Sequence, residues 1–396
     1  MKHLPPPPIA PTPRRRHQGF TLVELMVGLL LGLLAVLAIT QVLALSEGRK
    51  RTMAAGSDSQ VNGALAVFAL QRELEMAGYG LTAKPDALGC PLAGSFVTAG
   101  PPAATETFSG TLAPVVITSG ANGAPDTLTI LQARKSGFSV PVMVTAQNTD
   151  YFTVLSSLGV SAGDVMVAVP TVAYPGYAWS ATTSTCRLFS VTDDGAGSSS
   201  NTGLWAQRVP HTQGGATSWN DNAALTAAFP AIPAYLVNLG SLSYSQYTVD
   251  TSSLALQVTS HSATAASSTS VLFPQIVNLQ ALYGKDTNND GLVDTFDKTA
   301  PTTNDGWAQV LAVRIAVVAR STQYERSKAD KSDAVTQSAP LWDLGASSTV
   351  TGVVDCHNGS KCLQIKIDHV TDWQNYRYRI YDTTVPLRNI LWNAGS

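Results

Sequence analysis

The densest run of chemically capable side chains is Asp286-Thr287-Asn288-Asn289-Asp290-Gly291-Leu292-Val293-Asp294-Thr295-Phe296-Asp297, which holds four of the chain's 27 acids. Uniform scatter would place fewer than one there. Oxygen donors at positions 1, 3, 5, 9 and 12, with glycine at 6, follow the EF-hand spacing for calcium. Asp286, Asn288, Asp290 and Asp297 offer side chains, Leu292 its carbonyl, and Asp294 a direct or water-mediated contact. Asp297 stands where a bidentate Glu is usual, and flanking helical patterns are missing. The expected site is therefore a Ca2+ loop in a β context, with a Kd as weak as about 0.1–1 mM. The competing reading is a solvated loop held by Asx turns, because Asn-Asp-Gly is also a turn sequence.

Cys356-His357-Asn358-Gly359-Ser360-Lys361-Cys362 lies between two strand-like runs, and Asn358-Gly359 is a favoured hairpin turn. A bridge across it would close a short loop and stabilise by roughly 2 kcal/mol on the chain-entropy model. Cys90 and Cys186 would then pair by default, in a long loop worth up to roughly 4–5 kcal/mol. Other pairings stay open at this level. The rival is a zinc set of Cys356, His357, Cys362 and His369, although zinc sites usually show tighter cysteine pairs. An even cysteine count suits an exported chain with two bridges.

No HExxH, GxxxxGK[ST] or G-x-S-x-G pattern occurs, so catalysis is not expected. A formal net charge of −2 argues against a nucleic-acid partner. Charged residues make up 13% of the chain and apolar ones 44%, which excludes disorder and supplies a sizeable core.

The elements that position these groups begin with a basic leader. Residues 1–19 carry Lys2, Arg14, Arg15 and Arg16, no acid, and prolines at 5, 6, 7, 8, 11 and 13, so the leader is extended. An apolar run then continues from Phe20 to Leu45. At ~1.5 Å per residue it reaches roughly 39 Å, enough to span a hydrocarbon core of about 30 Å. Basic residues in front follow the positive-inside rule. A removable signal peptide fits poorly, since the run is too long.

Glu24 is the anomaly. An acid near one end of a span costs roughly 2–3 kcal/mol and usually has a partner. A cut between Gly19 and Phe20 would leave a cationic amine one helical turn away, able to neutralise Glu24 within one subunit or between neighbours. Snorkelling to the headgroups is the bland alternative.

Gln18-Gly19-Phe20-Thr21-Leu22-Val23-Glu24-Leu25-Met26-Val27 resembles the class III signal of type IV pilins and pseudopilins, without a gap. The resemblance implies that a prepilin peptidase cuts after Gly19, that Phe20 is the methylated terminus, and that Glu24 is the assembly glutamate. One departure is that no proline lies between Pro13 and Pro85, where major pilins often carry one. A long, unkinked first helix is expected.

Beyond the apolar run, Gly63, Ala66, Val67, Leu70, Leu74 and Ala77 share one helical face, and Val61, Leu65 and Phe68 form a narrower stripe. Gly78 and Gly80 supply the stop. Two stripes suit a helix with its own head on one side and other helices on the other; a single broad core face is the alternative. The fold class predicted is α+β: a pilin-like helix over 20–80, transmembrane or filament core over 20–45, and a β-rich head over 81–396. The head is expected as one β-rich unit, or as two lobes divided near 230.

Residues 113–119, 126–133, 140–146, 164–169, 187–191 and 254–259 read as strands, and 308–319 as a central one with Arg314 inside it. Tyr376 to Tyr381 reads as a late strand with a basic face. Residues 193–203 and 259–270 are Ser/Thr/Gly/Ala-rich and read as loops.

Four further segments are similar to the PilW-type minor pilins. They are Leu70-Gln71-Arg72-Glu73-Leu74-Glu75-Met76-Ala77-Gly78-Tyr79-Gly80, Tyr283-Gly284-Lys285-Asp286, Trp307-Ala308-Gln309-Val310-Leu311-Ala312-Val313-Arg314-Ile315, and Tyr378-Arg379-Ile380-Tyr381 to Pro386-Leu387-Arg388-Asn389. The resemblance implies a bacterial inner-membrane protein, single-pass with a periplasmic head, that enters a type IV pilus. Its implied partners are the prepilin peptidase, other minor pilins, the major pilin, the inner-membrane assembly platform and a tip adhesin. A head of this size implies a priming or tip complex rather than the repeating subunit. The alternative is a large J-like pseudopilin of type II secretion.

Overall fold

The computed structural model describes residues 19, 21–81, 85–99, 104–135, 140–170, 176–180, 185–192, 207–214, 217–220, 233–346 and 348–391. Residues 1–18 of the leader, Phe20 and residues 193–203 lie outside these. The chain divides into two compact units, Met1–Ala54 and Ala55–Ser396.

The first unit holds the start of a helix that runs over Leu22–Met76, uninterrupted by proline. Within it Leu22–Leu43 has a mean hydropathy of 2.7, and none of this stretch is buried. At ~1.5 Å per residue it extends about 33 Å, close to a bilayer core of ~30 Å. Its Thr40 hydroxyl donates to the Leu37 carbonyl, which satisfies that polar group inside the helix. Leu and Val at nearly every other position, all facing outward, suit an apolar solvent and not water.

In the second unit the helix is two-faced. Gly63, Ala66, Leu70, Leu74 and Ala77 are buried, at the steps of three and four that one face requires. Val61, Leu65 and Phe68 are 52%, 48% and 64% exposed. Gly63 lies under the ring of Tyr381; a Cβ there would come within 2.5 Å of two ring carbons, so the contact needs glycine. Positive φ at Gly78 and Gly80 turns the chain away after the helix. Asn389 Nδ2 donates to the last carbonyls, Met76 and Ala77.

Beneath the helix lies an antiparallel sheet in the order Thr295–Asp297, Ile276–Lys285, Val310–Arg320, Tyr378–Pro386. Its two middle strands are buried on both faces; Val310–Arg320 reads as a near-continuous apolar run, whereas Ile276–Lys285 also buries the polar Asn278 and Gln280. Leu279, Ala281, Val313, Ile315 and Val317 join Ala66, Leu70 and Leu74 in one core. Val277, Leu282, Ala316 and Val318 face the other way, onto Trp342, Leu363 and Ile365. Arg314 is tolerated mid-strand because it donates to Asp382 and to the Asp343 carbonyl, both at 2.8 Å.

A five-stranded sheet runs Ser268–Pro274, Ala255–His261, Ser243–Asp250, Thr127–Gln132, Val115–Thr118. An eight-stranded sheet runs Thr105–Leu112, Cys90–Val97, Cys186–Ser190, Val165–Val169, Tyr235–Gly240, Val142–Gln147, Tyr151–Val154, Arg208–Pro210. Both draw strands from either side of residue 230, so the expected two-lobe division there does not follow a sheet boundary. The long-range pairs Tyr235 with Val169 and Tyr244 with Leu131 are what cross it.

Residues 259–270 are a second correction. Half of this stretch is strand, 259–261 and 268–270, with loop over 262–267 between them; Thr259 stands opposite Thr269, their hydroxyls 2.9 Å apart. Small hydroxylated side chains mark loops by composition, yet they also suit the solvent face of a sheet.

His211 is fully buried beside Phe152 and Phe189, and burial pulls its pKa down to about 4 from 6.5. The folded value lies below the unfolded one, so the unfolded chain takes up the proton first. Stability present above pH 6.5 is therefore lost as pH falls towards 4. At ~1.36 kcal/mol per pH unit the loss is roughly 3 kcal/mol. Urea melts near neutral pH and near pH 4 should show a smaller acid penalty in His211→Leu than in the natural chain. Equal penalties would place the acid sensitivity elsewhere.

Candidate functional site

At the start of the helix, Thr21 is the capping residue. Its hydroxyl accepts the Glu24 N–H at 3.2 Å, as the spacing Thr-x-x-Glu favours. Sequence reasoning passes over Thr21, although that spacing is its signal. Glu24 falls in the first helical turn, where the N-terminal dipole favours an anion. Gly19 precedes the helix with open space around it. Phe20 lies outside the described residues.

The acidic loop is anchored at its first position. Asp286 is 4% exposed, and its carboxylate accepts the N–H groups of Asp290 (3.2 Å) and Gly291 (2.8 Å), curling the loop around itself. Asn289 and Gly291 take positive φ in that curl. Asn288 Oδ1 accepts from Asp290 N, and Asp290 Oδ1 from Leu292 N, both Asx-type bonds. The Asp294 carboxylate accepts from the Thr287 hydroxyl and N–H and from Asn288 N. These bonds hold its pKa below the usual carboxylate range, the Thr287 hydroxyl foremost.

Asp297 is a correction. It does not turn to the loop: both its oxygens take Lys285 Nζ, at 2.7 and 2.9 Å, and Thr299 N donates to it as well. The cause is strand register. Lys285 pairs with Thr295 and Tyr283 with Asp297, so Lys285 and Asp297 are diagonal neighbours on one face.

The remaining donors, Asp286, Asn288, Asp290, Asp294 and the Leu292 carbonyl, are all oxygens, the set a hard cation takes. Among the described residues, the trio of His, Cys or acid ligand atoms within 4.8 Å of one another is Asp343, Cys356 and Cys362. The loop's carboxylates stand wider apart, so they would have to draw together around an ion.

Next to the loop, Lys298 donates to both oxygens of fully buried Asp126 (2.9 and 2.8 Å) and to Gln280 Oε1. Burial pushes the Asp126 pKa up, and Lys298 opposes it. Gly120 and Ala281 N–H groups complete the carboxylate's shell. This pair fixes the far end of the loop to the sheet, and no sequence pattern announces it.

Cys90 is bridged to Cys186, and Cys356 to Cys362. The first bridge ties two neighbouring parallel strands, at Cys90–Val97 and Cys186–Ser190. The second spans the turn at Asn358-Gly359, both of positive φ. Both thiols of the rival zinc set are thereby consumed.

Residues 14–40 match the family model of the prokaryotic N-terminal methylation motif, and residues 244–389 that of type IV pilus-assembly protein W. Among solved structures, a type IV-like pilin from Thermus thermophilus is similar at 10% identity and a TM-score of 0.32, covering 84% of this chain and 97% of that one. No curated protein matches.

Proposed function

We propose that this chain is a PilW-type minor pilin with a class III signal, which a prepilin peptidase cuts after Gly19, leaving methylated Phe20 at its head. On this reading the protein waits in the inner membrane as a single-pass anchor with its head in the periplasm. It then enters a type IV pilus as part of a priming or tip complex with other minor pilins.

The observation that carries the reading is the stretch Leu22–Leu43, wholly unburied, with Glu24 in its first turn directly behind the Gly19–Phe20 bond. In a filament the same apolar side chains pack among those of neighbouring helices. In the second unit the stripe Val61, Leu65 and Phe68 is exposed as well, an apolar face open to a neighbour. Such a protein is generally non-enzymatic. Mass spectrometry of the mature N-terminus, with the peptidase present and absent, tests the proposal. A terminus at N-methylated Phe20, seen only with the peptidase, is expected. A terminus at Met1, or beyond Leu45, would overturn it. In a deletion strain, lost pili with intact secretion is expected; the reverse would favour the pseudopilin alternative.

Calcium binding belongs to the same proposal. Asp286, Asn288, Asp290, Asp294 and the Leu292 carbonyl are its ligands, with Asp297 left to Lys285. For a Kd of about 0.1–1 mM, calcium near 10 mM stabilises the folded head by about 1.4–2.7 kcal/mol. Chelator should lower the melting temperature accordingly, and Asp290→Ala should melt at the chelated value with or without calcium. A melting curve indifferent to calcium in the natural chain would remove the cation.

A further inference from the structure

A cleft of about 280 Å3 opens beside the acidic loop. Its lining includes the buried apolar residues Leu88, Leu311 and Ile390 together with two acids, Asp286 and Asp305. The loop supplies one wall. Gln309 fixes that wall, since its carbonyl accepts from Asp286 N (3.0 Å) and its amide donates to Asn289 Oδ1 (3.1 Å).

Among the described residues no cation pairs with either acid. The ion pairs there use Asp126, Asp164, Asp297, Asp355, Asp368, Asp372, Asp382, Glu75 and Glu325 instead. Asp286 spends its oxygens on two backbone N–H groups, which leaves its charge unmatched. Asp305 lies exposed in the first turn of the short helix Asn304–Ala308. Two negative charges in one lining with apolar residues select one kind of guest: an aliphatic stem ending in a cation.

We propose that this cleft seats a lysine or arginine side chain of a neighbouring subunit, its charged head against Asp305 and Asp286 and its stem on Leu88, Leu311 and Ile390. That the neighbour is another pilin rests on the function proposed above; the chemistry of the cleft does not. Asp286 is shared with the calcium loop, so bound calcium and the basic guest compete for its charge. Calcium in the loop should weaken the guest, and Asp305 then carries more of the contact.

The test uses the full chain in dodecyl maltoside with chelator present, and two probes of one shape. n-Butylguanidinium carries the stem and the charge; n-butylurea carries the stem alone. Saturation-transfer NMR should show n-butylguanidinium binding at least fivefold tighter than n-butylurea. Asp305→Asn should erase that difference, and Ile390→Ala should weaken both probes at least twofold. The unliganded melt of each variant checks that it folds. Equal binding of the two probes, or full n-butylguanidinium affinity in a folded Asp305→Asn variant, would overturn the proposal whatever the filament role turns out to be.

Discussion

Replacing Glu24 by alanine should remove the protein from purified filaments while its level in the membrane stays unchanged. The argument is one of magnitudes. An acid inside the edge of a bilayer costs roughly 2–3 kcal/mol. The helix N-terminus, in whose first turn Glu24 lies, returns only about 0.3–1 kcal/mol. The Thr21 cap uses the Glu24 N–H and does nothing for the carboxylate charge. A cation must supply the rest, and on the proposed maturation an amine at Phe20, one helical turn away in the sequence, would be that cation. In the membrane the carboxylate can reach headgroups and water; in a filament core it cannot. Loss of Glu24 therefore costs little at the first stage and removes the register signal at the second. Glu24→Gln should behave like Glu24→Ala, because it keeps the shape and drops the charge. Immunoblots of sheared filaments and of membranes read the two stages separately. Filaments that hold Glu24→Ala at the natural level would show that no charge pairing operates here.

The second large effect is expected from the buried bridge. Removing Cys90–Cys186 as the double alanine variant frees a loop of sequence separation 96, against 6 for Cys356–Cys362. On the chain-entropy model the costs are roughly 4–5 and 2 kcal/mol respectively. The first figure rivals the whole stability of an ordinary domain, about 5–15 kcal/mol. Both Cys90 and Cys186 are fully buried. Alanine keeps the site apolar, whereas serine would bury a hydroxyl. Denaturant melts of the two double variants should differ in the order stated. A larger loss at the 356–362 bridge would mean that the long loop is already restrained in the unfolded chain.

Much of this fold is legible in the amino-acid sequence. The apolar stretch and Glu24 are local facts of composition, and the face Gly63, Ala66, Leu70, Leu74 and Ala77 follows from helical periodicity. Seven of the eight strand readings overlap an observed strand closely, because alternation or a short apolar run is also local. The elements that escape a sequence reading have a common cause. The strands Cys90–Val97 and Thr105–Leu112 mix Gly, Pro, Ser and Thr with apolar residues, which hides them, and Tyr235–Gly240 takes its place from Val165–Val169 far back along the chain. The acidic loop is found by spacing, yet spacing misassigns Asp297, since its partner Lys285 is set by the register of a strand pair.

The sequence alone determined the apolar stretch, its charged anomaly and the oxygen-rich loop, because each is a property of neighbours in the chain. Only the tertiary structure decided which strands share a sheet, that Lys298 reaches buried Asp126, and that Asp286 and Asp305 look into one cleft. Those pairings join residues tens to hundreds of positions apart, where many arrangements satisfy the same local preferences and long-range packing selects among them.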